Sequence, residues 1–326
     1  MVATASIAVP SAATVRFQRT RASTPRAVRS VVRASALTDE LNSKYGIEGS
    51  VSFSDGKGDL PMVTLSHVSG ATAEVYLFGG CVTSWVVDGE DQLYVRPDAK
   101  FNGEKPISGG IPHCFPQFGP GEIQQHGFAR NVNWEVAAAS ADVNPDDPEP
   151  CLELTLTDSD YSRSMWDKPV TVAYQVTLKK DALVCDYRVM NTGDDPFDFT
   201  AALHTYFSAA GAASVKVKGL KGLSYLDKVV DANDPPSKTE ERDDVVIEGP
   251  VDSVYIGSGD EVTLETAKTK VDIQSSGWSD TVVWNPWTEM PACYDEFVCV
   301  EAAQAKDPVT LGPGESWLAS MTLIAN

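Results

Sequence analysis

Acidic residues are missing from the first 38 positions of this 326-residue chain, and basic ones are outnumbered 46 to 20 in the remainder. The opening stretch carries Arg16, Arg19, Arg21, Arg26, Arg29 and Arg33, and no Asp or Glu precedes Asp39. It also lacks the apolar centre of a secretory signal. A segment rich in Arg and Ser and poor in acids has the composition of an organelle transit peptide. The first arginine comes as late as Arg16, after an Ala/Ser/Thr/Val-rich start, which favours a plastid over a mitochondrion. Residues 1–38 are therefore expected to be a disordered plastid transit peptide, removed near Val31–Ala36, and the mature chain is expected in the chloroplast stroma. A single domain is expected over residues 39–326.

Other absences narrow the function. No apolar run reaches the ~18 residues of a membrane-spanning helix, so no membrane partner is expected. The whole chain has 26 basic and 46 acidic side chains, a formal charge of −20. Loss of the six leader arginines takes that to −26. Such a body repels nucleic acid and anionic surfaces through its bulk field. It also repels phosphorylated substrates at long range, so any anion site must be built from local cations. The six cysteines, Cys81, Cys114, Cys151, Cys185, Cys293 and Cys299, form no CxxC pair. A zinc or redox motif is not expected; small, reduced, buried thiols are. No cofactor or metal is expected, and a monomer is.

Alternation dominates what is present. "LELTLTD" (152–158) and "VTVAYQVTL" (170–178) place apolar residues at every second position. "ALVCDYRVMN", "FDFTAAL", "SVKVKGL", "EVTLETA" and "KVDIQSSG" follow, separated by turn-forming Asn, Asp, Gly and Pro. This pattern predicts an all-β fold, a large antiparallel β-sandwich. A short helix is expected around Leu37–Lys44. "ADVNPDDPEP" (141–150) and "DANDPPSKTEERDD" (231–244) read as surface loops.

Four stretches break the regular background. "ISGGIPHCFPQFGPGEIQQHGFARNVNW" (107–134) is dense in Gly and Pro, and holds His126 and Arg130 in an ordered, non-repeating backbone. Loops of this kind on a rigid sheet commonly carry function; the plain alternative is a structural loop histidine. "LHTYF" (203–207) sets His204 at the end of an apolar run, where a hydrogen-bonded core histidine is the ordinary outcome. "DTVVWNPW" (280–287) offers Trp284 and Trp287, rings that pack on the apolar face of a sugar or simply in a core. "EFVCVEAAQ" (296–304) puts Glu301 after four buried-type residues, and a buried carboxylate needs a partner or a role. A histidine and a glutamate at strand ends make an acid and base pair able to move protons near neutral pH.

Taken together, "GGIPHCFPQFG", "QQHGFARNVNW", "LHTYF", "DTVVWNPW" and "VCVEA" resemble, in order and spacing, the aldose 1-epimerase superfamily over roughly residues 50–325. The resemblance is greatest to its hexose-6-phosphate branch. It implies a galactose mutarotase-like supersandwich that interconverts sugar anomers without metal or cofactor, on a small sugar or sugar phosphate. It implies His204 as the acid toward the ring oxygen and Glu301 as the base toward the anomeric hydroxyl. His126 and Gln125 would contact the sugar, Asp227 would hold a hydroxyl, and Arg130 would bind phosphate. Two positions depart from the branch. Ser108 stands where an arginine usually helps to hold phosphate, and His113 stands where an apolar residue is usual. Lys105, Lys100 or Arg96 could replace the missing cation. Two alternatives stay open at this level: an epimerase of unphosphorylated aldoses, and a carbohydrate-binding protein without turnover.

Overall fold

The computed structural model describes residues 26–142, 147–258 and 261–326, with side chains from residue 35 onward. The alternating stretches become strands, some with the expected bounds and others shifted or shortened. Cys151–Thr157, Val170–Leu178, Ala182–Asn191 and Phe197–Leu203 each bury every second side chain, wholly or in part. Three sheets form, of five, nine and eight strands, and the strand pairings within them are antiparallel. The fold is the all-β sandwich that the pattern predicts.

The nine- and eight-stranded sheets press their inner faces together. Phe199 of the eight-stranded sheet meets Trp317 of the nine-stranded sheet with ring centroids 5.5 Å apart. His113, on the strand His113–Cys114, is caged by Trp134, Tyr174 and Tyr187 at 4.8, 4.5 and 5.5 Å. Its Nε2 lies 3.1 Å from the Gly80 carbonyl oxygen. Burial pushes its pKa down to about 4, so it stays neutral. This histidine fills an apolar position as a core ring and takes no part in the site.

Two adjoining strands of the eight-stranded sheet explain where the chemistry sits. Phe297–Leu311 reads "FVCVEAA" at its start, and all seven residues are buried. Burial on both faces accounts for a near-continuous apolar run instead of alternation. Val300 and Ala302 point into the inter-sheet core. Cys299, Glu301 and Ala303 point the other way, because successive side chains alternate across a strand. The neighbouring strand Asp280–Asn285 pairs Val282 with Glu301 and Trp284 with Cys299. The outer face of the sheet is thereby the floor of a cleft.

Helical content departs from the sequence reading at the N-terminus. The helix Arg26–Tyr45 starts inside the stretch assigned to a disordered leader and extends well before Leu37. No Gly or Pro interrupts these 20 residues, so nothing in the local chemistry stops the helix earlier. Its end is tied to the first strand. Asn42 accepts from the Phe53 N–H at 2.8 Å and donates to the Phe53 carbonyl at 2.6 Å. The rest of the expected leader, residues 1–25, lies outside the described residues, as do positions 143–146 of the first acidic loop. The second loop is less loose than its composition predicts. It contains the strand Ser237–Thr239 and the buried Glu240, which takes two hydrogen bonds from the Arg242 guanidinium and one from Tyr255 Oη. All six cysteines are free thiols, and five are buried. Among the described residues no helix is long and apolar enough to cross a membrane.

Candidate active site

The cleft on the outer face of the eight-stranded sheet has a volume of about 570 Å³. His204 follows the strand Phe197–Leu203, whose register sets Leu203 against Ala302. The next step along that register brings His204 to Glu301. His204 Nδ1 lies 3.1 Å from Glu301 Oε1. Glu301 is 2% exposed and His204 8%. Among the described residues neither Glu301 Oε2 nor His204 Nδ1 has a hydrogen-bond partner, so the 3.1 Å contact is a close approach without hydrogen-bond alignment. The imidazole is fixed from two sides. Tyr206 stacks on it at 4.8 Å with a 12° interplanar angle, and Trp284 meets it edge-on at 5.7 Å.

The Gly- and Pro-rich loop supplies the second histidine. His126 holds a left-handed backbone, φ 64°, which only a heavily determined loop sustains for a non-glycine residue. Its N–H donates to the Gly119 carbonyl at 3.0 Å, and its own carbonyl accepts from the Phe115 N–H at 3.1 Å. Nδ1 accepts from the Gly119 N–H at 3.1 Å, with the Cys114 thiol also at 3.1 Å. Both neighbours are donors, so the ring proton sits on Nε2. The His126 and His204 rings lie 5.5 Å apart at 72°. Arg130 is fixed by donating from Nη2 to the Gln125 carbonyl at 2.9 Å, while its buried Nε has no partner among the described residues.

Burial governs the proton distribution. It pushes His126 down to about 2, helped by the charges of His204, Arg130 and Lys228. It pushes His204 down to about 3, with Arg130 and Arg96 adding to the effect. It raises Glu301 well above the usual carboxylate range, and the nearby Asp252 adds to that while Lys228 and Arg130 oppose it. A low-dielectric site disfavours each charged form. Burial thus favours the neutral imidazole and the protonated carboxyl, two groups that approach to 3.1 Å. His204, Cys299 and Glu301 also bring three potential metal donors within 4.8 Å of one another. Burial keeps the Cys299 thiol protonated, its pKa far above the usual range, and a neutral thiol is a poor ligand.

Six of the expected residues meet here: His204, Glu301, His126, Arg130, Gln125 and Trp284 all line the cleft. Three do not. Asp227 lies on the strand Ser224–Asp227 opposite Ser253, one position out of phase with the cleft-facing Asp252. Its carboxylate instead pairs with Lys238 Nζ at 2.6 Å and accepts the Val229 N–H. Trp287 turns away after Pro286 and packs on Tyr294 with centroids 5.0 Å apart. Lys105 sits on an exposed turn organised by Asn102 Oδ1. Lys228 and Asp252 line the cleft and were not singled out in the sequence. A strict period-two reading of "SYLDK" and "VDSVY" against the sheet register is the signal that finds them. Of the cations that could replace the arginine absent at Ser108, Arg96 reaches the cleft beside Ser108 itself.

Comparison with known proteins fits this geometry. The family model described as aldose 1-epimerase matches residues 61–323. The chain belongs to the aldose 1-epimerase family. A protein of Cenchrus ciliaris, provisionally named as a glucose-6-phosphate 1-epimerase, is 36% identical over 291 residues, covering 82% of this chain and 85% of that one. An Escherichia coli protein with the same provisional name is 30% identical over 266 residues, covering 76% and 85%. A Salmonella typhimurium crystal structure, provisionally described as a mutarotase, superposes with a TM-score of 0.76 at 25% identity, covering 89% of this chain and 99% of that one. The protein is thus an isomerase of the epimerase class, and the cleft on the outer face of the eight-stranded sheet is its candidate site.

Proposed function

We propose that the protein interconverts the α and β anomers of a hexose 6-phosphate, with His204 and Glu301 as the proton-handling pair. One observation carries the reading: an imidazole and a carboxyl 3.1 Å apart on the floor of a cleft that also holds Arg96, Arg130 and Lys228. The two oxygens that exchange protons in mutarotation, the ring oxygen and the anomeric hydroxyl, are bonded to the same carbon. The acid and the base must therefore be close neighbours, and this pair is.

Ring opening breaks the bond from C1 to the ring oxygen and turns the C1–O1 bond into a carbonyl. Glu301 takes the hydroxyl proton while His204 gives one to the ring oxygen. Rotation about C1–C2 presents the other aldehyde face, and the two transfers reverse on closure. Nothing is consumed, and the pair ends with the same single proton. Burial by itself favours the neutral imidazole and the carboxylic acid. An anionic phosphate beside His204 favours the imidazolium, so substrate binding draws the proton across the short contact and arms each group for its task. His126, with its proton on Nε2, donates a hydrogen bond near the ring oxygen. The fixed loop sets that geometry before substrate arrives, and such preorganisation makes weak groups effective.

Exchange NMR of the two anomers is the test. Catalytic amounts of protein are expected to accelerate anomer exchange of glucose 6-phosphate well above the spontaneous rate and above that of glucose, with competitive inhibition by inorganic phosphate. Equal acceleration of both sugars without phosphate inhibition contradicts the phosphorylated substrate. No acceleration of either contradicts the epimerase reading.

The same reading extends to location. The acid-free, Arg-rich opening supports import into a plastid, and the mature protein acts as a single domain and a monomer. N-terminal sequencing of the protein recovered from plastids is expected to begin after the first arginines; an intact Met1 would refute import with cleavage.

A further inference from the structure

We propose that Arg96, held in place by Asp98, anchors the 6-phosphate and sets the preference for phosphorylated over neutral hexoses. This rests on the epimerase reading of the cleft. A chain with a formal charge of −20 offers an incoming dianion little at long range, so the attraction must be local and geometric. Three cationic side chains line the cleft: Arg96, Arg130 and Lys228. Their surroundings differ.

The substrate's own bonding says where the phosphate goes. C6 hangs from C5, and C5 is bonded to the ring oxygen. The phosphate therefore lies on the ring-oxygen side of the sugar, the side served by His204. Arg96 stands there. Its N–H donates to the Ser108 carbonyl at 3.0 Å on one edge of the segment Ser108–Pro112. On the other edge, His204 N–H donates to Pro112 and Tyr206 N–H to Gly110, at 2.9 and 2.8 Å. The charge of Arg96 is felt at His204 and at Tyr206, whose ring stacks on His204. Lys228 acts on both Glu301 and His126, and Asp252 on Glu301; Arg130 acts on both His204 and Glu301, with its Nη2 tied to the Gln125 carbonyl.

Arg96 is also built to receive an anion. Asp98 takes Nε–H at 3.0 Å and Nη2–H at 2.7 Å. A guanidinium has five N–H donors, so three remain, on a side chain only 16% exposed. A simple surface ion pair would leave the arginine in solvent, yet here the aspartate is the exposed partner, at 61%. Asp98 acts as a positioning residue: it orients the fork without reaching substrate. Planar, charge-assisted recognition of phosphate is the property that separates arginine from lysine. Ser108, across the backbone bond, adds a neutral hydroxyl to the same wall.

The experiment compares wild type with Arg96→Gln, Arg96→Lys, Asp98→Asn and the exchanged pair Arg96→Ser/Ser108→Arg. The readout is the ratio of kcat/KM for glucose 6-phosphate to that for glucose. Arg96→Gln is expected to lower the ratio by about tenfold to a hundredfold, as loss of hydrogen bonds to a charged group implies, through KM more than kcat. Arg96→Lys recovers part of the loss. Asp98→Asn gives a smaller rise in KM for the phosphorylated sugar. The exchanged pair, which moves the guanidinium across one backbone pairing, restores part of the ratio. An unchanged ratio in Arg96→Gln, or an equal fall for both sugars, overturns the anchor. Calorimetric binding of inorganic phosphate to wild type and Arg96→Gln judges the anchor without turnover. If wild type accelerates neither sugar but binds phosphate through Arg96, the epimerase reading fails and the anchor stands.

Discussion

Glu301→Gln is expected to slow anomer exchange of glucose 6-phosphate by about a thousandfold, within the 10²–10⁴ range for loss of a positioned general acid or base. The amide has the shape of the carboxyl but cannot take the anomeric proton. It also cannot pass a proton to His204 across the 3.1 Å contact, so both halves of the exchange fail together. The fold should survive. Glu301 is almost fully buried, with an oxygen that finds no partner among the described residues, and a buried carboxyl is a burden that its environment relieves only by protonation. The variant is therefore expected to melt at or above the wild-type temperature while losing its activity. Exchange NMR and thermal unfolding on one preparation check both halves. A variant keeping more than about a tenth of the wild-type rate would remove Glu301 from the role that general acid–base catalysis assigns it.

Gly127→Ala is expected to have a large structural effect for a single methyl group near the site. Gly127 has φ 68°, and a Cβ there would lie 2.1 Å from the Phe115 carbonyl oxygen. That oxygen accepts the N–H groups of Phe128 and Ala129, so the clash cannot be relieved without breaking the loop's own bonds. Left-handed strain and the clash together are expected to cost about 3 kcal/mol or more. Activity should fall with stability, because His126 and Arg130 stand on either side of the displaced turn. Gly89→Ala separates the two causes. Gly89 has φ 83° but open space around its Cβ direction, so it should lose only about 1 kcal/mol from backbone strain. Urea unfolding of both variants measures the difference. Equal destabilisation would show that backbone conformation alone, and not the approach to Phe115, requires the glycine.

Much of this architecture is legible in the chain because period-two alternation is a local property. Val170–Leu178 and Ala182–Asn191 begin and end where their apolar pattern does. The helix at Arg26–Tyr45 is less legible, since its arginines also fit a leader and composition cannot separate the two. His204 and Glu301 were legible as two unusual residues, a histidine and a glutamate closing apolar runs. Their meeting depends on strand register, which sets Leu203 against Ala302 and lies beyond any local pattern. Register also explains the misplaced aspartate. Asp227 and Asp252 are both acidic strand residues, and a one-residue phase difference sends one outside the cleft and the other into it. Lys105 and Arg96 looked equivalent as loop cations. Only the backbone pairing of Arg96 with Ser108 distinguishes them.

The most direct test of the paired chemistry is the anomer exchange rate of the double variant His204→Ala/Glu301→Gln beside its two single variants. Groups that serve one concerted proton exchange, the role proposed for His204 and Glu301, are non-additive, and removing either should cost nearly as much as removing both. All three variants are therefore expected to exchange glucose 6-phosphate at similar, near-spontaneous rates. A double variant slower than either single by the product of their separate losses would mean independent contributions, and a single variant with the wild-type rate would mean that the imidazole and carboxyl meet in this cleft for some other reason.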